Sequence, residues 1–176
     1  MTFVDRETRL ILSFAAYTTV PFAINTEMVK PDELKSYKDL LQPKWKGKIS
    51  INDPTMPGAG GKWFGMALWA KMADLDYMKK LAEQEPAVLT DTRLQVDWLA
   101  RGKYPVAIAA KTGVFTDFVE AGAPVQRVPA PVEGAYVSSG GGNIALIKDR
   151  PHPNATRLYL NWLLTQEGQT VFSVAS

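Results

Sequence analysis

Apolar positions follow two different periods along the chain. Short β-type runs at residues 18–24, 48–52, 104–110 and 124–128 alternate with stretches whose apolar residues return every three or four positions. Trp63, Met66, Ala67 and Ala70 mark one face of a helix beginning near Lys62. Leu75, Met78, Leu81 and Ala82 mark a second that stops before Pro86. A third starts at Asp91, turns Leu94, Trp98 and Leu99 inward and ends at Arg101-Gly102, where glycine suits the left-handed terminator. The continuous apolar run 104–110 predicts a strand covered on both faces. A short helix is expected at 116–121, and another after Pro153 with Ala155, Leu158, Tyr159, Trp162 and Leu163 on one face. Pro21 inside the first run suits an edge or crossing strand. Strands alternating with helices predict an α/β layer fold, a mixed sheet flanked by helices.

Composition narrows the chemistry. The 176 residues are 46% apolar, enough for a real core, and 20 Lys+Arg against 18 Asp+Glu leave a formal charge of +2. No broad field therefore selects nucleic acid or an anionic membrane. With no cysteine, a disulfide framework, Cys-ligated zinc and a Cys nucleophile are excluded. The single histidine, His152, stands between Pro151 and Pro153, which argues against a multi-histidine metal site or a Ser/His/Asp triad. No pair of carboxylates is placed for acid/base work, and the five tryptophans interleave with no basic patch. The expectation is a binding protein without cofactor or enzymatic activity.

Near the N-terminus, Arg6 and Arg9 precede the apolar run 10–16, superficially like a signal peptide. Asp5 and Glu7 dilute the basic start, and the run falls short of the ~20 residues a membrane span needs. Two buried strands explain it better.

Three strand ends carry candidate ligand groups. In Asn52-Asp53-Pro54-Thr55-Met56-Pro57-Gly58-Ala59-Gly60-Gly61-Lys62 a strand end leads through a flexible turn to a helix start, where backbone N–H groups and Thr55 or Lys62 can meet an anion. A plain βα connection accounts for the same glycines. The spacing is not that of a nucleotide phosphate loop, since Trp63 follows Lys62. Asp91 and Thr92 can cap the third helix or offer polar groups to a ligand. Lys111 and Thr112 follow the apolar strand, on the side where open α/β sheets bind ligands. Thr55, Gly58, Ala59, Gly60, Asp91, Thr92, Lys111 and Thr112 are the expected ligand-binding residues. Lining one inner face requires Gly58–Gly60 and Thr92 on the same side of the sheet.

Three stretches resemble the extracellular solute-binding proteins of ABC importers, the type II periplasmic-binding-protein group that includes ferric-iron binders. Phe22-Ala23-Ile24-Asn25-Thr26 is similar to the strand ending Y-N-T/K, with Ile24 in place of Tyr. The run Tyr37-Lys38-Asp39-Leu40-Leu41-Gln42-Pro43-Lys44-Trp45-Lys46-Gly47-Lys48-Ile49 matches W-x-D-L-L-x-P-K-W-K-G-K-I, with Tyr37 for Trp. Pro151-His152-Pro153-Asn154-Ala155, continuing through Trp162-Leu163-Leu164-Thr165-Gln166-Glu167-Gly168-Gln169, resembles P-x-P-x-A…W-L-L-S-x-E-G-Q.

The resemblance implies a periplasmic or extracellular protein that closes two lobes on a solute and presents it to a membrane permease. Residues 25–132 would be the second lobe, residues 1–24 a first-lobe and hinge segment, and residues 133–176 the hinge return and first-lobe helix. The chain then reads as a fragment. Iron-binding members carry paired tyrosines where Thr112 and Gly113 stand here, which implies a ligand other than Fe3+ held by that pair. The family's small-anion turn has its counterpart in Pro57-Gly58-Ala59-Gly60, with Pro57 where a hydroxyl would be. A phosphate-like or organic anion in an interlobe cleft is the expected ligand; the alternative is an anion-binding enzyme domain using loop 58–62. Residues 10–14, the strand around 20–24 and the Leu158/Leu163 helix face are expected to lack their packing partners, so the fragment is expected to self-associate.

Overall fold

The computed structural model describes residues 2–3, 11–15, 17–138 and 142–175. Asp5, Arg6, Glu7, Arg9, Leu10 and Gly140 lie outside them. The chain forms two compact units: residues 1–17 with 137–176, and residues 18–136. In chain order the strands are β1 (Thr2–Phe3), β2 (Ile11–Ser13), β3 (Tyr17–Thr19), β4 (Phe22–Asn25) and β5 (Ile49–Asn52). Helices α1 (Ala59–Trp69) and α2 (Leu75–Glu83), β6 (Ala87–Leu89), α3 (Thr92–Ala100) and β7 (Val106–Ile108) follow. Next come α4 (Thr112–Glu120), β8 (Val125–Arg127), β9 (Tyr136–Ser138), β10 (Asn143–Ala145), α5 (Pro153–Leu163) and α6 (Gln166–Ala175).

The larger unit is built on a five-stranded mixed sheet of order β6-β5-β7-β4-β8. β5 pairs parallel with β6 and β7, and β4 runs antiparallel to β7 and β8. Alternation along the strands splits the core into two layers. Phe22, Ile24, Ile49, Ile51, Val106 and Ile108 pack with Trp63 and Ala67 of α1 and Tyr77 and Leu81 of α2. Ala23, Ala107 and Val125 face the other way, onto Val96, Leu99 and Phe115 from α3 and α4. Small residues on that second face let the helices approach closely.

The layers correct several sequence expectations. Pro21 lies in the break between β3 and β4, and β4 is an interior strand. The missing proline N–H therefore costs no ladder bond, while its carbonyl accepts the N–H of Ala109 at 2.8 Å. Phe22, Ala23 and Ile24 are fully buried, so this segment contributes no uncovered patch. In α2 the inward face is Tyr77 and Leu81, with Leu75 64% exposed. In α3 it is Gln95, Val96 and Leu99, while Leu94 is exposed. The buried Gln95 donates from Nε2 to the Ile108 carbonyl at 2.9 Å, while its Oε1 has no hydrogen-bond partner among the described residues. α4 starts at Thr112, four residues before the expected 116, because Phe115 must reach the core within the first turn. Gly102 takes the expected left-handed conformation at φ +71°.

In the smaller unit β2 pairs antiparallel with β1 and β10. α5 and α6 meet at Gly168, where a β-carbon would stand 2.2 Å from the Trp162 carbonyl oxygen. Leu163 is buried, but Leu158 is 74% exposed and Tyr159 56%.

Candidate functional site

Because β4 is antiparallel to both β7 and β8, strands β5, β6, β7 and β8 all finish at one edge of the sheet. β5 connects through α1 and α2 to its neighbour β6, whereas β7 connects through α4 to β8 on the opposite side. The adjacent strands β5 and β7 therefore send the chain in opposite directions, which opens a crevice outside their carboxyl ends. Right-handed crossovers in opposite directions must pass over opposite faces of a sheet. The two core layers have that arrangement.

At the end of β5, Asn52 fastens three elements. Its Oδ1 accepts the N–H of Gly60 at 2.9 Å, and its Nδ2 donates to the Leu89 carbonyl at 3.2 Å. α1 thus begins directly against the strand end, and a β-carbon at Gly60 would lie 2.0 Å from the Asn52 carbonyl oxygen. The helix start leaves the N–H groups of Ala59 and Gly61 without intrahelical acceptors. Gly58, exposed, has extended backbone at φ 164°. Thr55 is exposed, and Asp53 Oδ1 accepts both its hydroxyl at 2.7 Å and its N–H at 2.8 Å. Those bonds hold the Asp53 carboxyl below its usual range.

After β6, Asp91 caps α3: its Oδ1 accepts the N–H groups of Arg93 at 2.8 Å and Leu94 at 3.0 Å. A carboxylate thus already occupies this helix start, and Thr92 beside it is half-buried. After β7, Lys111 precedes α4 with no side-chain cap, and Lys111, Thr112 and Gly113 are all exposed. The Thr112 carbonyl accepts the Thr116 hydroxyl at 3.1 Å.

All eight expected residues follow the ends of β5, β6 or β7, so they share one sheet edge. They do not share one face: Gly60 opens a helix on the first face and Thr92 opens one on the second. The expectation that Gly58–Gly60 and Thr92 line one shared inner face therefore fails, for the handedness reason above, and what remains common to the eight is the sheet edge. The structure also adds Asn52, Arg127 and Ala109. Arg127, at the end of β8, donates from NH2 to the Ala110 carbonyl at 2.9 Å and from NH1 to the Val20 carbonyl at 3.3 Å. Ala109 adopts φ +58°, a left-handed conformation strained for a residue with a β-carbon. Arg127 closes the mixed strand Val125-Gln126-Arg127, and nothing in the sequence marked it or Ala109. Among the described residues no group of three or more His, Asp or Glu is placed to hold a metal ion.

Residues 9–175 match the bacterial extracellular solute-binding protein family. The chain belongs to this family. An uncharacterized protein of Haemophilus influenzae is 28% identical over 163 residues, covering 84% of this chain and 43% of its own. Among solved structures, the periplasmic binding protein AfuA of Actinobacillus pleuropneumoniae, with exogenous fructose-6-phosphate bound, is similar at 26% identity and TM-score 0.64. That match covers 91% of this chain and 50% of AfuA. Iron-bound HitA of Pseudomonas aeruginosa shares the fold at 20% identity and TM-score 0.67, covering 93% of this chain and 54% of HitA. The chain thus spans about half the length of these relatives, and its fold is that of the type II periplasmic binding proteins. No described helix is long and apolar enough to cross a membrane.

Proposed function

We propose that this chain is a ligand-binding portion of the solute-binding component of an ABC importer, and that it recognises a small organic or phosphate-like anion. The observation that carries the reading is the divergence of the chain at the adjacent strands β5 and β7. Asn52, Gly58, Ala59 and Gly60 lie at or after the end of β5, and Lys111 and Thr112 follow β7. Polar backbone and hydroxyl donors there match a ligand that offers oxygen acceptors. AfuA, with its bound sugar phosphate, supports the phosphate-ester branch. Thr112 and Gly113 offer no phenolate, which disfavours Fe3+ held by a tyrosine pair. In the whole protein, residues 25–132 act as the second lobe and the loaded protein docks on permease subunits outside the cytoplasmic membrane.

Thermal unfolding with fructose 6-phosphate, inorganic phosphate, citrate and neutral fructose tests the ligand class. A ligand at about 100 times its Kd stabilises by about 2.7 kcal/mol. A raised Tm with one or more of the anions and none with fructose is the expected result. Stabilisation by fructose alone, or by none of the four, overturns the anion reading. Self-association would proceed through the exposed Leu158 and Tyr159. Light scattering that shows a monomer at high concentration excludes it.

A further inference from the structure

Among the described residues Lys62, Lys111 and Arg127 at this sheet edge form no ion pair, and of the three only Arg127 is partly buried. Arg93 pairs with Asp117 and Arg101 with Asp97, but among the described residues Arg127 has no acidic partner. Its acceptors are all neutral: the Val20 carbonyl, the Ala110 carbonyl and, at 3.5 Å, the Thr112 hydroxyl oxygen. The guanidinium carbon sits 4.6 Å from the centre of the Phe115 ring, so one face is shielded from water. Burial disfavours its charged form, although a guanidinium stays protonated. The cation is thus partly desolvated without an anion to compensate it.

Its surroundings add charge of the same sign. Lys111 stands at the start of α4, which also carries the positive end of the helix dipole and no acidic cap. α3 differs, because Asp91 already answers its dipole. Of the five N–H donors of a guanidinium, three are engaged, leaving Nε and one NH1 hydrogen without a partner among the described residues. The strained turn at Ala109 brings the Ala110 carbonyl to the NH2 group, which fixes the fork beside Thr112.

We propose that Arg127 is the ligand's counter-charge: its free donors, with Lys111 and the Thr112 hydroxyl, receive an oxyanion, either a phosphate ester or a carboxylate. This rests on the anion reading above and names the residue that selects for charge. The Nε–H and the remaining NH1 hydrogen each offer one charge-assisted donor, and the guanidinium plane stays stacked on Phe115, which a lysine ammonium does not reproduce.

The experiment is a titration of the 176-residue chain at low ionic strength, followed by 15N NMR of the arginine Nε–H signals. The probes are fructose 6-phosphate, citrate and inorganic phosphate, the first two separating ester from carboxylate. The Arg127 signal is assigned by its loss in Arg127→Lys. The expected result is a saturable shift of that signal and about tenfold weaker binding in Arg127→Lys, with an unchanged amide spectrum elsewhere. Should Arg127→Lys unfold, Arg127→Gln supplies the assignment, or substitution of the other arginines one at a time does so by elimination, and the wild-type Nε shift decides. Anion binding that leaves the Arg127 signal in place, or equal affinity in Arg127→Lys, makes Arg127 only a strut between strand ends and overturns the proposal while the anion reading survives. No binding by any probe overturns both.

Discussion

Gly60 donates its N–H to the Asn52 side chain at 2.9 Å while its α-carbon faces the Asn52 carbonyl so closely that a β-carbon would stand 2.0 Å away. The contact sets the start of α1 against the end of β5. Since the clashing atoms are backbone, they cannot move aside as a flexible side chain would.

Gly60→Ala is therefore expected to destabilise the chain by about 1–3 kcal/mol, the usual cost of overpacking. Gly65, in the same helix with nothing within 4 Å of an added β-carbon, supplies the control. Gly65→Ala should stabilise by about 0.5–1 kcal/mol through helix propensity. Urea denaturation of both variants checks this, and equal effects would refute the close approach.

The Asp91 cap makes a second separable claim. Asp91→Ala should cost about 1 kcal/mol, because two amides at the start of α3 lose their acceptor, while Asp91→Asn should retain most of that stability. Thr92→Val should leave anion affinity unchanged, because Thr92 opens a helix on the face opposite Gly58–Gly60. Calorimetry that finds weaker binding would return Thr92 to the ligand site.

Much of this architecture was legible because burial imposes period on sequence. The apolar run 104–110 announced a strand covered on both faces, and Gly102 announced its left-handed turn. Which helix face turned inward was harder to read. Leu75 and Leu94 are as apolar as Leu81 and Leu99, and only the position of the sheet decides which are covered. The candidate residues followed from the rule that ligands gather at strand ends, yet their split over two faces depends on strand order, which no local pattern encodes. Arg127 acquires its significance from Ala110 and Val20, the latter 107 positions away in the chain.

Acid should weaken the fold through three carboxyls held below their usual range. Asp53 is lowered by its bonds from Thr55, Glu33 by Lys44 and Asp76 by Lys80. Folded values below the unfolded ones mean the contribution is fully present above the unfolded pKa, about 4, and is lost as pH falls through the folded values. All three are solvent-accessible, so each effect is small. Denaturant midpoints at pH 7 and pH 3 should converge slightly in Asp53→Asn relative to wild type. An identical drop in both proteins would remove Asp53 from the account.

At alkaline pH the sign reverses. Burial raises the Tyr77 phenol, with smaller pushes from Tyr37 and Glu133, and its hydroxyl has no hydrogen-bond partner among the described residues. A folded pKa above the unfolded value of about 10 means stability is intact below pH 10 and declines as pH rises beyond it. Tyr77→Phe removes that hydroxyl without breaking a bond, so at pH 7 it should be neutral or stabilising, and the loss above pH 10 should be shallower. Tyr37→Phe is the opposite case. The Tyr37 hydroxyl oxygen accepts the buried Trp63 indole N–H at 3.3 Å, and deleting it should cost about 1–3 kcal/mol by leaving that donor unpaired. Denaturation of both variants at pH 7 separates the two phenols, and a loss in Tyr77→Phe as large as that in Tyr37→Phe would show that the Tyr77 hydroxyl is hydrogen-bonded after all.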